Sequence, residues 1–179
     1  MIGVLVSGEG TNLQALLDAG LPVAAVASNK PGVRALERAE RAGVPAAVFE
    51  LDVYASREER DAAMADWLEA RGVDLVVCAG YMHVLRPVFL GRFTGRVVNT
   101  HSAPLPEFPG PRPIEDVLAA GVPETAATVH YVDEGVDSGP VIAVERVPVE
   151  PADTVGTLRA RVQAAEHRLL PRVVAELVS

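Results

Sequence analysis

Three side chains in this sequence have the types and spacing to act on a carbonyl group. Asn99 and His101 stand two apart at the end of the run Arg96-Val-Val98, and Asp137 follows 36 residues after the histidine. The amide offers an N–H donor, the imidazole can give or take a proton near neutral pH, and the carboxylate can orient the imidazole or accept a proton. Together they are the parts needed to move a carbonyl group from one nitrogen to another. In extended backbone, side chains two apart point the same way. Asn99 and His101 are therefore expected to face one site just past a strand's carboxyl end, where open α/β sheets bind ligands.

Other candidates are weaker alone. Ser7-Gly8-Glu9-Gly10-Thr11-Asn12 lies between an apolar run and a helical pattern. Glycines allow close backbone approach to an anion, and a helix start offers free N–H groups. The loop is not a P-loop, because Gly-Lys-Ser/Thr is missing. Nor is it a dinucleotide fingerprint, because Leu13 stands three after Gly10. The alternative is a tight turn between strand and helix. Gly10→Val is expected to weaken binding of an anion at this loop and to leave binding elsewhere on the chain largely intact.

Among the four histidines, His101 is the functional candidate. His130 reads as structural or supporting, His83 could line a pocket, and His167 on the last helix reads as surface. No pair has zinc-site spacing, so no metal is expected. Asp137 shares an acidic turn with Asp133, Glu134 and two glycines. Cys78, the single cysteine, lies in an apolar run and reads as a small buried side chain.

The elements that must position these residues alternate. Strands are read at Ile2 to Val6, Val23 to Ala27, Ala46 to Phe49, Leu75 to Ala79 and Arg96 to Asn99. Helices are read at Asn12 to Ala19, near Val33 to Ala42, and after the Ser56-Arg-Glu-Glu59 capping box, with Met64, Trp67 and Leu68 as its buried stripe. This rhythm predicts an α/β fold, one domain with a mostly parallel sheet and helices on both faces. Ser102 to Pro113 holds five prolines and reads as a stiff loop. A short helix at Ile114 to Ala120, strands at Thr125 to Val132 and Val141 to Val147, and a helix from near Thr154 complete the chain. Pro171 is expected to end or kink that last helix.

At 179 residues the chain can bury a full core. Its apolar and charged fractions are those of a soluble globular protein, and no apolar stretch reaches the length of a membrane span. Neither a signal peptide nor a disulfide is read, so a cytoplasmic location is expected, with no membrane partner. A net charge of −8 argues against extended nucleic-acid binding. A small anion can still be held by backbone N–H groups.

Taken together, the segments resemble glycinamide ribonucleotide formyltransferase, a folate-dependent family of purine synthesis. The resemblance covers nearly the whole chain. It rests on Val6-Ser-Gly-Glu-Gly-Thr-Asn-Leu-Gln14, Ala79-Gly-Tyr-Met82, Asn99-Thr-His101 with Leu105-Pro-Glu-Phe-Pro-Gly110, Thr128 to Pro140, and Arg161 to His167. It implies a Rossmann-like formyltransferase fold over residues 1–179. Residues 1–100 would form a nucleotide-phosphate-binding half, and residues 101–179 would bring the folate-site loop, antiparallel strands and C-terminal helix.

The resemblance also implies roles. Asn99, His101 and Asp137 match the catalytic trio. Gly10, Thr11 and Asn12 match the loop holding the substrate phosphate, and Gln163 and Glu166 match positions near the ribose hydroxyls. Arg57, Tyr81, Met82, His83, Val84 and Leu85, with the turn of Asp133, Glu134, Gly135 and Val136, match the folate site. The implied co-substrate is 10-formyltetrahydrofolate, used without metal. The small-molecule partner is glycinamide ribonucleotide, and a monomer or a homodimer is left open.

The sequence departs from the family at Ser102-Ala-Pro-Leu-Pro106, at Gly110 to Ile114, at Ala126-Ala127, and at His83, where arginine is common. Formyltetrahydrofolate hydrolase and other formyltransferases, such as the methionyl-tRNA enzyme, share parts of the signature and stay open as alternatives. The latter normally adds a basic tRNA-binding domain. The hydrolase adds an N-terminal regulatory domain, for which a first strand starting at Ile2 is read as leaving no room. Ser102 as a hydrolytic nucleophile lacks a Gly-x-Ser-x-Gly elbow. A nucleotide-binding module without catalysis would use only the Ser7–Asn12 loop.

Overall fold

The computed structural model describes all 179 residues. Seven strands form one sheet in the order β3-β2-β1-β4-β5-β6-β7. The backbone divides into two compact units, residues 1–98 and 99–177.

The first unit alternates strand and helix, as its hydrophobic pattern requires. Its elements are β1 (Ile2–Val6), α1 (Thr11–Asp18), β2 (Val23–Ser28), α2 (Arg34–Arg41), β3 (Ala46–Val48), a 3₁₀ turn at Leu51–Val53, α3 (Arg57–Glu69), β4 (Leu75–Cys78) and the short α4 (Pro87–Leu90). β1 pairs parallel with β2 on one side and with β4 on the other, and β2 pairs parallel with β3. β1 and β4 are buried along their whole length, the mark of parallel strands covered on both faces. The strand order reverses between β1 and β4. The loops leaving their carboxyl ends are Ser7–Gly10 and the segment from Ala79, so these flank the topological switch point where such sheets bind ligands. Burial pushes the Cys78 thiol up to about 12, so it is un-ionised there, in keeping with a packing role.

α3 begins as its capping signal predicts. The Glu59 N–H donates to Ser56 Oγ at 3.1 Å, while the Glu59 carboxylate reaches back to the Ala55 N–H, one residue before the cap. Its buried stripe is Arg60, Asp61, Met64, Ala65 and Leu68. Trp67, expected in that stripe, is half-buried, with its ring edge-on to Phe49 at 5.8 Å.

The second unit opens inside β5 (Val97–His101) and continues with α5 (Pro113–Ala120), β6 (Glu124–Tyr131), β7 (Val141–Pro148) and α6 (Val155–Val178). Pro113 takes the first turn of α5, where its missing N–H costs nothing. β6 and β7 form an antiparallel pair. Val129 faces Ala143 and His130 faces Val141, so the register slips by one residue and Ile142 is the extra residue of a bulge. Thr154 caps α6 and shares a reciprocal capping box with Thr157.

Two expectations need correction. β5 runs two residues past its expected end at Asn99, so His101 lies within the strand rather than beyond it. Pro171 does not end α6, which runs on to Val178. An internal proline costs about 3 kcal/mol. Val173 and Val174 are buried one turn later, and each such burial contributes about 1.5–3 kcal/mol, enough to offset the proline. No helix is long and apolar enough to cross a membrane.

Candidate active site

In the second unit, β5, β6 and two loops bring four polar side chains together. His101 is buried and Asn99 half-buried, both on β5. The His101 Nε2–H donates to the Phe108 carbonyl at 2.6 Å, so the proline-rich loop fixes the ring. That leaves Nδ1 as the nitrogen free to exchange a proton, and it lies 3.7 Å from Asp137 Oδ2. Asp137 is held in the left-handed backbone region at φ 52°, which aspartate tolerates better than most residues. Its Oδ2 accepts the Gly110 N–H at 2.9 Å. The separation from His101 is an ion-pair distance and not a hydrogen bond. The carboxylate therefore keeps acceptor capacity.

His130, read from the sequence as structural or supporting, lies directly against this cluster. Its Nε2 lies 3.2 Å from Asn99 Nδ2 and 3.8 Å from Asp137 Oδ1, and its Nδ1–H donates to the Tyr131 carbonyl at 2.8 Å. The available signal was its place in Thr128-Val-His130, two after Thr128, whose hydroxyl ties down the Ala103 carbonyl at 2.8 Å. The pairing of β6 beside β5 that brings His130 to Asn99 has no local sequence mark. The link from Asp137 to Gly110 is also long-range, and neither loop announces it.

The other second-unit candidates are placed as follows. Glu166 is buried on α6 and accepts the Ser102 hydroxyl at 2.5 Å, while Gln163 is half-buried on the same helix. The reading of His167 as surface is corrected: its ring is half-buried, and Nε2 is shielded without a partner. Asp133, Glu134, Gly135 and Val136 form an exposed turn. The Asp133 carboxylate is spent within it, accepting Ser138 Oγ at 2.7 Å and the Gly135 N–H at 2.9 Å. Those two bonds, the serine's first, hold it below the usual carboxylate range. What the turn offers a ligand is its backbone and the exposed Val136.

In the first unit, Gly10, Thr11 and Asn12 lie at the start of α1. Gly10 is its N-cap, with no side-chain cap bond and no acidic residue in the first turn. An uncapped first turn presents backbone N–H groups suited to an anion. Gly10 itself has a different reason to be glycine. Its φ is 74°, and a Cβ there would lie 2.6 Å from Ala35 Cβ and 2.7 Å from Ala35 Cα on α2. The expected ligand-selective effect of Gly10→Val is thereby corrected, because any side chain here collides with the α2 backbone before a ligand is involved.

Across the switch point, the Met82 N–H donates to Ser7 Oγ at 2.9 Å. The Tyr81–Leu85 segment splits by exposure: Tyr81 and Leu85 are buried, His83 is half-buried, and Met82 and Val84 are exposed apolar side chains. Arg57, the first residue of α3, is exposed. Behind this segment lies a cluster that the sequence reading missed. Arg60 and Asp61 are wholly buried and joined at 2.7 Å. Asp61 Oδ2 accepts the Arg86 N–H at 2.8 Å, and Arg60 Nη1 lies 3.0 Å from His83 Nδ1. Nδ1 must accept there, so His83 is neutral in this contact. Burial first, then the charges of Arg60 and Arg57, hold its pKa below the ordinary histidine value. The signal existed: the 64, 65, 68 stripe extends one turn back to 60 and 61. No group of three or more His, Cys, Asp or Glu is arranged to hold a metal ion.

Comparison with known proteins places the chain among its relatives. The family description "Formyl transferase" matches residues 1–174. The chain is 45% identical to the phosphoribosylglycinamide formyltransferase of Mycobacterium tuberculosis, over 98% of this chain and 84% of that protein. It is also 45% identical to the trifunctional purine biosynthetic protein adenosine-3 of Drosophila melanogaster, over 99% of this chain but only 14% of that much longer protein. A solved structure of phosphoribosylglycinamide formyltransferase from Streptococcus pneumoniae superposes with a TM-score of 0.96 at 43% identity, covering 99% of this chain and 98% of that one. With a family match over residues 1–174 and a relative 45% identical over 98% of this chain, the chain belongs to the formyl transferase family.

Proposed function

We propose that this protein transfers the formyl group of 10-formyltetrahydrofolate to the amine of glycinamide ribonucleotide. The observation that carries the reading is the Asn99–His101–Asp137 cluster. It offers an amide N–H, an imidazole with one nitrogen free, and a carboxylate with spare acceptor capacity.

In the reaction the substrate amine attacks the formyl carbon, a C–N bond forms, and the carbonyl oxygen becomes an oxyanion. The Asn99 N–H and a protonated His101 Nδ1 donate to that oxygen. One positioned donor of this kind lowers a barrier by roughly 3–4 kcal/mol. The attacking nitrogen loses a proton, for which Asp137 is the acceptor, directly or through water. The bond to the tetrahydrofolate nitrogen then breaks, that nitrogen gains a proton, and the carbonyl re-forms. No acid or base is consumed and no covalent enzyme intermediate is required.

The uncapped start of α1 at Gly10, Thr11 and Asn12 suits the substrate phosphate, and Gln163 and Glu166 suit its ribose hydroxyls. Met82 and Val84 supply apolar surface for the flat faces of the folate, and the backbone of the 133–136 turn suits its polar edge. Arg57, also assigned to the folate site, supplies an exposed cation. The test is the absorbance of released tetrahydrofolate, with and without glycinamide ribonucleotide. Release that requires the amine is the expected result. Equal release without it would replace the transferase by a formyltetrahydrofolate hydrolase.

A further inference from the structure

We infer that His130 is a positioning residue, whose imidazole fixes which atom of the Asn99 amide faces the reacting carbonyl. The inference rests on the formyl-transfer reading and adds to it a residue outside the trio.

An asparagine amide is ambiguous, because its oxygen and nitrogen occupy nearly the same shape with opposite hydrogen-bonding sense. An oxyanion needs the nitrogen. Nothing in Asn99 itself makes that choice, so a neighbour must.

His130 makes it through the hydrogen bonds of its two ring nitrogens. The Tyr131 carbonyl can only accept, so the 2.8 Å contact puts a proton on His130 Nδ1. In the neutral ring Nε2 is then a lone pair, able only to accept. That lone pair lies 3.2 Å from Asn99 Nδ2, where an N–H satisfies it and a carbonyl oxygen would repel it. One amide hydrogen is thus engaged, the amide plane is set, and the second N–H remains to donate. The ring cannot swing away, since His130 is 2% exposed and its backbone is locked in β6 beside the bulge at Ile142. Asp137 Oδ1, 3.8 Å from the same Nε2, is too far to compete as a hydrogen-bond partner.

The test is a double-mutant cycle on kcat. His130→Ala is expected to lower kcat roughly tenfold to a hundredfold, less than complete loss of an oxyanion donor, with both KM values within about twofold. In an Asn99→Ala background the same change should cost almost nothing, because the residue through which His130 acts is gone. His130→Gln, whose side-chain oxygen can accept from the amide, should recover part of the loss. Equal losses in the two backgrounds, or a loss confined to KM, would overturn the inference. A readout on the unmodified protein covers a variant that fails to fold. Scalar coupling across the hydrogen bond from Asn99 Nδ2 to His130 Nε2, measured by ¹⁵N NMR, should be detectable, and its absence would overturn the inference too. That coupling does not depend on turnover. Failure of the transferase reading, with wild type giving no amine-dependent release, is therefore seen separately.

Discussion

Each unit buries a cluster built around an aspartate, and the two clusters are made differently. In the first unit Asp61 is saturated: one oxygen takes the Arg60 guanidinium at 2.7 Å and the other takes the Arg86 N–H at 2.8 Å. In the second unit Asp137 has one direct bond, from the Gly110 N–H at 2.9 Å, and two imidazoles held off at 3.7 and 3.8 Å. A saturated carboxylate in a dry site holds structure and has nothing left to give a substrate. A carboxylate with open acceptor positions, facing a histidine with one free nitrogen, is a group that can receive a proton. Burial and charge alone would rank Asp61 first. The bonding inventory ranks Asp137 first.

Replacing the two aspartates by asparagine tests that contrast most strongly. Asp61→Asn leaves the Arg60 charge buried and unpaired, and breaking such a pair costs about 3–5 kcal/mol. Denaturant unfolding should show a loss of that size, with kcat of the folded fraction unchanged. The cost should shrink when both partners become apolar, as in Arg60→Met with Asp61→Leu. Arg60 Nη2 and the Tyr81 hydroxyl are already buried without partners, so the cluster contains unmet donors even when intact. A double variant less stable than Asp61→Asn would mean that the pair contributes net stability.

Asp137→Asn and His101→Ala should show the opposite pattern. Turnover falls by at least about a hundredfold, the range for a lost general acid or base, while the melting temperature stays near wild type. Near-normal turnover in either purified variant would remove that residue from the mechanism and erase the contrast with Asp61.

What could be read ahead of the structure follows from how local each signal is. The β–α rhythm, the Ser56 and Thr154 caps and the Asn99–His101 pair are written within a few residues, because strand and helix periods and capping geometry are local. The burial of Arg60 and Asp61 was written too, as the backward extension of the 64, 65, 68 stripe, but their charge argued for solvent. His130 was hidden for another reason. Its place beside Asn99 depends on how β5 and β6 lie side by side, a pairing of residues 31 apart that no local pattern writes. The run of α6 through Pro171 likewise depended on burial of Val173 and Val174, which a local propensity cannot see.

The Ser7–Asn12 loop is a third case, in which a functional signal concealed a structural one. Gly10→Ala should cost roughly 2 kcal/mol or more, from left-handed strain and overlap with Ala35. Affinity for both substrates should fall together in proportion to the folded fraction. Selective loss of nucleotide binding in a stably folded Gly10→Ala protein would restore the glycine to a purely ligand-facing role.

The smallest expected effect is a pH dependence carried by His83. In the folded protein its pKa is lowered by burial, Arg60 and Arg57, with Lys30 adding to this and Asp61 opposing it. The unfolded chain has the ordinary value, so as pH falls below about 6.5 the unfolded state takes up the proton first. The stability contribution is thus fully present above that value and declines as pH falls toward the lowered folded value. Protonation in the folded state would set a cation 3.0 Å from the Arg60 guanidinium and abolish the acceptor at Nδ1. Melting temperatures measured from pH 7.5 to 5.5 should therefore fall more steeply in wild type than in His83→Gln, whose amide oxygen accepts from Arg60 at every pH. Coincident slopes would show that the Arg60 cluster does not sense His83. The comparison would then sharpen: the Asp61 cluster would be inert to protonation of the imidazole that touches it.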